Sequence, residues 1–277
     1  MKIAVLSDIH GNLPALEAAL SEINRIGVDQ IIVLGDLITD FSQHTNEILH
    51  IVRNATQNVI RGNRESYLIN QANNPSDDTW KKYKQFYAFL ETFKKLSDAD
   101  IAYLKALPQQ MAFKYGENFC LRAVHGSPFS EFDAIYADSF DLIERSFGAI
   151  DENVLLCGHA HRPFVYSNGK KTIVNAGSVG LNFDKSQSAD FAVIRYDGGD
   201  FDVDIRKAKY DYAAFKMSCD CDDPWVWLCL KSIESGKSGE SYVLRFLDEA
   251  KRRYGVSPLP DDDYYELFNE WRKKGIV

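Results

Sequence analysis

The sequence predicts an α/β fold, and two observations carry that expectation. Short apolar runs alternate with helical patterns through the first 61 residues, the order of a parallel sheet. Five apolar runs along the chain also stop at a Gly with an Asp, Asn or His beside it, as strands do where the chain must turn sharply.

Residues 2–7 read as the first strand. Leu13, Leu16, Leu20, Ile23 and Ile26 then recur at helical spacing, with Pro14 in the first turn and Gly27 beyond the last. Asn12 is the expected N-cap, with a phosphate contact from the same loop as the alternative. Residues 29–34 give a second strand, 44–55 a helix and 57–61 a third strand. From 65 to about 107 the alternation stops. Trp80, Tyr83, Phe86, Tyr87, Leu90 and Phe93 lie at helical spacing. Ser97 then caps a second helix that Pro108 ends. This insert starts at the Asn63 turn. Its aromatic stripe reads as packing, whereas Tyr67 and the loop at 70–78 are freer to face a ligand.

Residues 111–115 and 118–124 read as a hairpin about Tyr115-Gly116-Glu117-Asn118. A helix at 138–149 and a strand at 153–157 follow. Residues 164–166 and 172–174 pair about Ser167-Asn168-Gly169. Residues 191–196 and 201–205 close the core. Beyond Tyr210 three helices are expected, beginning at Pro224 (with Asp223 as N-cap), near Val243 and near Tyr264. The expected organisation is a core of residues 1–209 with the insert at 65–107, and a helical extension, 210–277, packed on it. Whether the extension is a packing appendage, a lid or a dimer surface stays open, as does the oligomeric state.

A net charge of −8 argues against non-specific duplex binding, which needs a basic face. It leaves small nucleotides open, since bound metal ions supply local positive charge. No secretory pattern and no membrane span are read. Five cysteines without a framework suggest reduced thiols in a cytoplasmic protein. A Gly-rich phosphate loop and a Gly-x-Ser-x-Gly elbow are both absent, so P-loop and serine-hydrolase readings fail.

The chemistry sits in the strand-end turns. They are Asp8-Ile9-His10, Gly35-Asp36, Gly62-Asn63-Arg64, His125-Gly126 and Gly158-His159-Ala160-His161. Four of the six histidines fall here; His44 and His50 read as helix-face residues. Asp, Asn and His are oxygen and imidazole donors that suit Mn, Fe or Zn. With no Cys in the series, a closed thiolate zinc site is excluded. Seven candidate ligands are too many for one tetrahedral ion and suit two ions sharing a carboxylate, an arrangement that activates water and clamps an in-line phosphoryl displacement.

This ordered series, over residues 1 to about 205, resembles the calcineurin-like metallophosphoesterases. The resemblance implies a four-layer αββα sandwich of two mixed sheets with a dinuclear centre at the strand ends. One ion would be held by Asp8, His10, Asp36 and His161, the other by Asp36, Asn63, His125 and His159, with Asp36 bridging. Mn and/or Fe are the expected metals, with Zn or Ni as alternatives. A hydroxide bridging the ions would attack phosphorus in line.

Many members of that family carry, after the Asn, a His that protonates the leaving group. Here the residue is Arg64, as in the small prokaryotic branch associated with phosphodiesterase activity. Arg cannot donate a proton near neutral pH. It can hold a phosphate oxygen, or it can simply pair with Glu65 or another carboxylate. Leaving groups of low pKa should then be favoured, which points to phosphodiesters and to nucleotides such as diadenosine tetraphosphate. Asp36, Asn63 and Arg64 are the expected catalytic residues; Asn12, Arg64 and Tyr67 are the candidate substrate contacts. The Asn175-Ala176-Gly177-Ser178 turn is expected to support the site from below. The alternatives are a phosphomonoesterase, including a protein phosphatase, or a non-catalytic scaffold.

Overall fold

A computed structural model describes residues 1–115, 119–235 and 241–277. Two mixed sheets form its centre. The first has the order β2(Gln30–Val33), β1(Lys2–Leu6), β8(Ser188–Tyr196), β9(Phe201–Lys209). β1 pairs parallel with β2 and antiparallel with β8. The second has the order β3(Gln110–Lys114), β4(Cys120–Val124), β5(Val154–Cys157), β7(Thr172–Asn175), β6(Phe164–Ser167). β4, β5 and β7 run parallel, and β3 and β6 are antiparallel edges.

Side-chain alternation along β1 shows how the layers stack, because successive residues face opposite sides of a sheet. Ile3 and Val5 meet Leu121, Ala123, Val154 and Leu156 in a core between the sheets. Ala4 and Leu6 face the other way, into Leu16 and Ile23 of α1(Leu13–Ile26) and Ile48 and Val52 of α2(Thr45–Ala55). Leu155 and Ile173 of the second sheet pack on Ile143 and Phe147 of α7(Phe140–Gly148). The result is the expected four-layer αββα sandwich.

The expected third strand at 57–61 shrinks to a single parallel bridge, Val33 to Val59. The Arg61 N–H already turns away to the Pro108 carbonyl. The insert also differs. α3(Asn63–Asn73) begins at the candidate ligand itself and takes in the start of the expected 70–78 loop. The single helix expected through 80–93 is broken into α4(Thr79–Lys82), a 3₁₀ turn and α5(Tyr87–Lys95). Tertiary contacts cause the break: the Lys84 N–H donates to Asp261, and Gln85 Oε1 accepts the Leu259 N–H. Ser97 caps α6(Asp98–Ala106) in a reciprocal box with Asp100, as its sequence implies. The turn expected at Gly116–Asn118 lies outside the described residues. The closing hairpin β8–β9 is longer at both strands than its apolar runs suggested.

The extension forms α8(Tyr212–Ser218), α9(Pro224–Ser235), α10(Tyr242–Tyr254) and α11(Asp261–Lys273). Its cluster of Leu228, Phe246, Tyr264 and Trp271 continues into Phe41 and Leu181 beside the strand-end turns and into Ala88 and Phe89 of α5. It therefore packs over the end of the sandwich where the candidate ligands lie. No helix among the described residues is long and apolar enough to cross a membrane. All five cysteines are free thiols.

Candidate metal centre

All seven expected ligands converge. Asp8 and His10 follow β1, Asp36 follows β2, Asn63 opens α3, His125 follows β4, and His159 and His161 follow β5. Asp8, His10 and His161 each place a ligand atom within 4.8 Å of the other two, and Asp36, His125 and His159 do the same. Asp36 Oδ2 lies between the groups, 3.7 Å from His10 Nε2 and 3.4 Å from His125 Nε2. Asn63 Oδ1 is 3.0 Å from His125 Nε2.

The backbone is strained to achieve this. Asp8, His10, Asp36, His159 and His161 all have φ between 50° and 59°. Residues with a Cβ rarely adopt that left-handed region, at a cost of order 1–3 kcal/mol each, and they cluster at functional sites. Two glycines admit the close approach. A Cβ on Gly62 would lie 2.2 Å from Asp36 Oδ1, and one on Gly158 would lie 1.9 Å from Ser7 Oγ.

Hydrogen bonds set the orientation of three of the rings. His10 Nδ1 donates to Asp40 at 2.7 Å, His125 Nδ1 to the Leu34 carbonyl at 2.7 Å, and His161 Nδ1 to the Leu181 carbonyl. Each ring thereby turns its Nε2 lone pair inward. His10 Nε2 and His161 Nε2 are 3.1 Å apart, and His125 Nε2 faces the Asn63 and Asp36 oxygens. Asp8 Oδ1, fully buried, receives no hydrogen bond. Acceptors facing acceptors at this range require cations between them. The donor set of carboxylate, amide oxygen and imidazole therefore fits transition-metal ions.

Without metal ions, protons must serve. Burial opposes a charge on His10, but Asp40 and the other carboxylates outweigh it and raise His10 to about 9. His125 rises to about 10 in the same way, against burial, through Asp36 and Asp8. Burial also opposes ionisation of Asp36, yet His125 and His10 lower it to about 2. His159 goes the other way: burial, reinforced by the His125 charge, lowers it to about 4.

A second tier holds the ligands. Asp40 is fully buried and accepts from His10, from Thr39 Oγ1 at 2.8 Å, from Arg64 Nη2 at 3.2 Å and from Trp225 Nε1 at 2.7 Å. Sequence reasoning missed it; its signal was a second Asp one turn beyond Gly35-Asp36. Glu65 does not pair with Arg64. It is buried and clasps two ligand turns, accepting from the backbone N–H groups of Asp36, Leu37 and Gly62. Burial and the Asp36 charge together raise it to about 7. Ser178 Oγ donates to the Asp8 carbonyl, and the Asn175 amide to that of Gly158, so the 175–178 turn braces the site.

Arg64 lies at the centre's rim rather than on the open surface. Its guanidinium is 3.2 Å from Asp40 and sits 5.0 Å from the centre of the Phe89 ring. The phosphate contact considered for Asn12 is not available. Asn12 is buried, its oxygen caps α1 at the Ala15 N–H, and its amide donates to Gly180 O and Tyr210 Oη. Tyr67 is 40% exposed, which leaves it free to meet a ligand. His44 and His50 lie on or beside α2, paired with Glu47 and Asn54, away from the centre.

Two adjoining cavities open at Arg64 and His159. A small one of about 120 Å³ lies against His159, His161, Asp40 and Arg64. A larger one of about 550 Å³ opens from Asn63, Arg64 and His159 and runs between the insert and the extension.

The chain is similar to several known proteins. A family model described as a calcineurin-like phosphoesterase superfamily domain matches residues 1–199. The crystal structure of a metallophosphoesterase from Sphaerobacter thermophilus is similar, with a TM-score of 0.64 and 26% identity, covering 78% of this chain and 92% of that one. Protein PH1004 from Pyrococcus horikoshii shares the fold, with a TM-score of 0.71 and 23% identity over 85% of this chain and 98% of that one. The uncharacterized protein MJ0912 of Methanocaldococcus jannaschii is 29% identical over 228 residues, 76% of this chain and 88% of that protein.

Proposed function

The chain belongs to the calcineurin-like phosphoesterase superfamily, and from that premise we propose that this metal-dependent phosphoesterase cleaves phosphodiester or phosphoanhydride bonds, with nucleotides such as diadenosine tetraphosphate as candidate substrates. The observation that carries the reading is Arg64, which follows Asn63 and lines both cavities at the centre.

Asp8, His10, Asp36 and His161 would hold one transition-metal ion, and Asp36, Asn63, His125 and His159 the other. Manganese or iron suits the donors best, with zinc or nickel as alternatives. The bound ions would supply a water of lowered pKa and a clamp on the phosphoryl oxygens. The chain's own residues do the rest. Asp40 fixes the His10 ring and orients Arg64. Arg64 turns the remainder of its planar fork toward phosphoryl oxygens and stabilises charge there. It cannot protonate a departing alkoxide, since its proton stays bound near neutral pH. Aryl oxides and phosphates leave without that help, which favours diesters of acidic alcohols and polyphosphates.

The test compares kcat/KM of manganese-loaded protein for bis(p-nitrophenyl) phosphate, p-nitrophenyl phosphate and diadenosine tetraphosphate. The diester or the tetraphosphate should be preferred. Preference for the monoester would show that another group supplies the proton and would overturn the reading.

A further inference from the structure

The larger cavity has walls that the metal chemistry does not need. Tyr67, Trp80, Phe86 and Phe89 of the insert, Phe132 from the loop after His125 and Trp225 of the extension surround it. Val243, Leu244 and Leu247 of α10 complete it. The rings incline to one another at 75° (Tyr67 and Phe89), 51° (Tyr67 and Phe132), 55° (Trp80 and Phe89) and 70° (Phe89 and Trp225).

We propose that this cavity binds a planar aromatic group carried on the phosphorus atom, a nucleobase or a simple aryl group, with Tyr67, Phe89, Phe132 and Trp225 determining specificity. The inference rests on the phosphodiesterase reading of the centre, which it deepens by naming the chemistry of one substituent on phosphorus.

Four observations support it. The first is continuity. Arg64, His159, Val243 and Leu244 line both cavities, so the two adjoin and one molecule can reach from the centre into the larger one. The second is access. His159, the expected ligand that is not buried, lines this cavity, so the metal centre is reachable from it. The third is size and charge. About 550 Å³ lies within the range of small-molecule sites. Arg64 is the one Lys, Arg, Asp or Glu among the described residues lining it. Arg64 stands on the Asp40 side, at the metal centre, and the rest of the described lining carries no such charge, which suits a neutral ring.

The fourth is shape. Rings inclined at 51° to 75° offer faces and edges together. An inserted flat ring gains offset-stacked or edge-to-face contact there, whereas an alkyl chain gains only buried area. Tyr67 and Phe132 are 40% and 51% exposed at the rim, a cost in exposed apolar surface that a ligand would relieve. Trp225 has a double position. Its ring walls the cavity while its N–H holds Asp40, which holds His10. The extension is thereby part of both the cavity and the support of the metal centre.

The experiment measures binding of four phosphate monoesters to manganese-loaded protein by tryptophan fluorescence, with calorimetry as a check. The ligands are methyl, hexyl and phenyl phosphate and adenosine 5′-monophosphate. Trp80 and Trp225 lie in the wall, so occupancy should quench them. Phenyl phosphate and the nucleotide should bind about tenfold or more tightly than methyl phosphate, as stacking of one ring implies. Phe132→Ala, at an exposed rim position, should narrow that ratio about tenfold. A nucleotide that binds better than phenyl phosphate identifies a nucleobase as the natural occupant, and equal binding identifies a simple aryl group. Equal binding of methyl and phenyl phosphate would overturn the proposal. Hexyl phosphate matching phenyl phosphate would overturn its aromatic part. Should the hydrolysis assay show turnover of monoesters, the non-hydrolysable methyl-, hexyl- and phenylphosphonates replace the esters, so failure of the phosphodiesterase reading is told apart from failure of this proposal.

Discussion

Replacing Asp40 by Asn should loosen both the metal centre and the Arg64 anchor while the chain stays folded. The buried carboxylate receives hydrogen bonds on both oxygens: His10 and Thr39 on Oδ2, Arg64 and Trp225 on Oδ1. Asn offers one acceptor and turns an NH₂ toward donors on the other side. Loss of the carboxylate behind a ligating His costs about 10- to 100-fold in metal affinity. Arg64, with a side chain only 17% exposed, also loses its nearer counter-charge and keeps Asp36 at 4.0 Å. Breaking such a pair costs about 3 kcal/mol where one partner keeps some contact with water. That is a large part of the 5–15 kcal/mol typical of a domain, but it need not unfold it. The pH dependence has a definite sign. Burial raises the Asp40 carboxyl, but Arg64 and His10 outweigh it and hold it below its ordinary value. A depressed carboxyl stabilises the fold above its unfolded value, and that contribution fades as pH falls below about 4. The gap between wild type and Asp40→Asn should therefore be full between about pH 4 and pH 6, shrink in acid and, because Asp40 also raises His10, fade as pH climbs from about 6.5 toward about 9. Calorimetric titration of chelator-stripped protein with Mn²⁺, with urea unfolding alongside, checks both effects. A folded variant that binds Mn²⁺ within about threefold of wild type would refute the role given to Asp40.

Other outcomes follow from the same geometry. Asp36→Asn removes the oxygen shared by the two ligand groups; bound metal measured by elemental analysis should fall, with activity down about a thousandfold, equivalent to about 4 kcal/mol. Arg64→Ala should keep its metal and raise KM by about tenfold or more, as loss of a charge-assisted hydrogen bond implies; unaltered kinetics would remove Arg64 from substrate binding. Asp190 is fully buried, and burial raises it to about 7 despite Lys207 beside it. A raised carboxyl binds its proton more tightly in the fold, so it costs stability as pH climbs from about 4 to about 7, near 1.4 kcal/mol per unit, and the loss is level above. Urea midpoints of metal-free Asp190→Asn should therefore fall less between pH 5 and pH 7 than those of wild type.

The candidate ligands whose convergence the structure shows were legible in the sequence because each is local to a strand end. A short apolar run, a glycine and a metal-binding side chain form a pattern within a few residues, and the fold only has to gather five of them. Asp40, Glu65 and Trp225 were not legible for different reasons. Asp40 and Glu65 lie within the ligand turns, but their roles depend on what packs above them. Glu65 looks like a surface partner for Arg64 until its carboxylate is seen spanning Asp36, Leu37 and Gly62. Trp225 is 185 residues from Asp40, and only tertiary packing brings them together. The break in the 80–93 helix has the same origin. Its periodicity is helical, but Asp261 and Leu259 of the extension draw Lys84 and Gln85 out of register. The aromatic stripe read as packing proves to be partly that, with Trp80, Phe86 and Phe89 also lining the cavity beside the centre.

Two adjacent ligand groups sharing Asp36 are the core of this account. The most direct measurement is hydrolysis of bis(p-nitrophenyl) phosphate by chelator-stripped protein as Mn²⁺ is added in known ratio to the chain. Activity should be negligible without metal, rise with added ion and level off at about two ions per chain. A plateau at one ion, or activity that persists in the stripped protein, would contradict the shared-ligand centre.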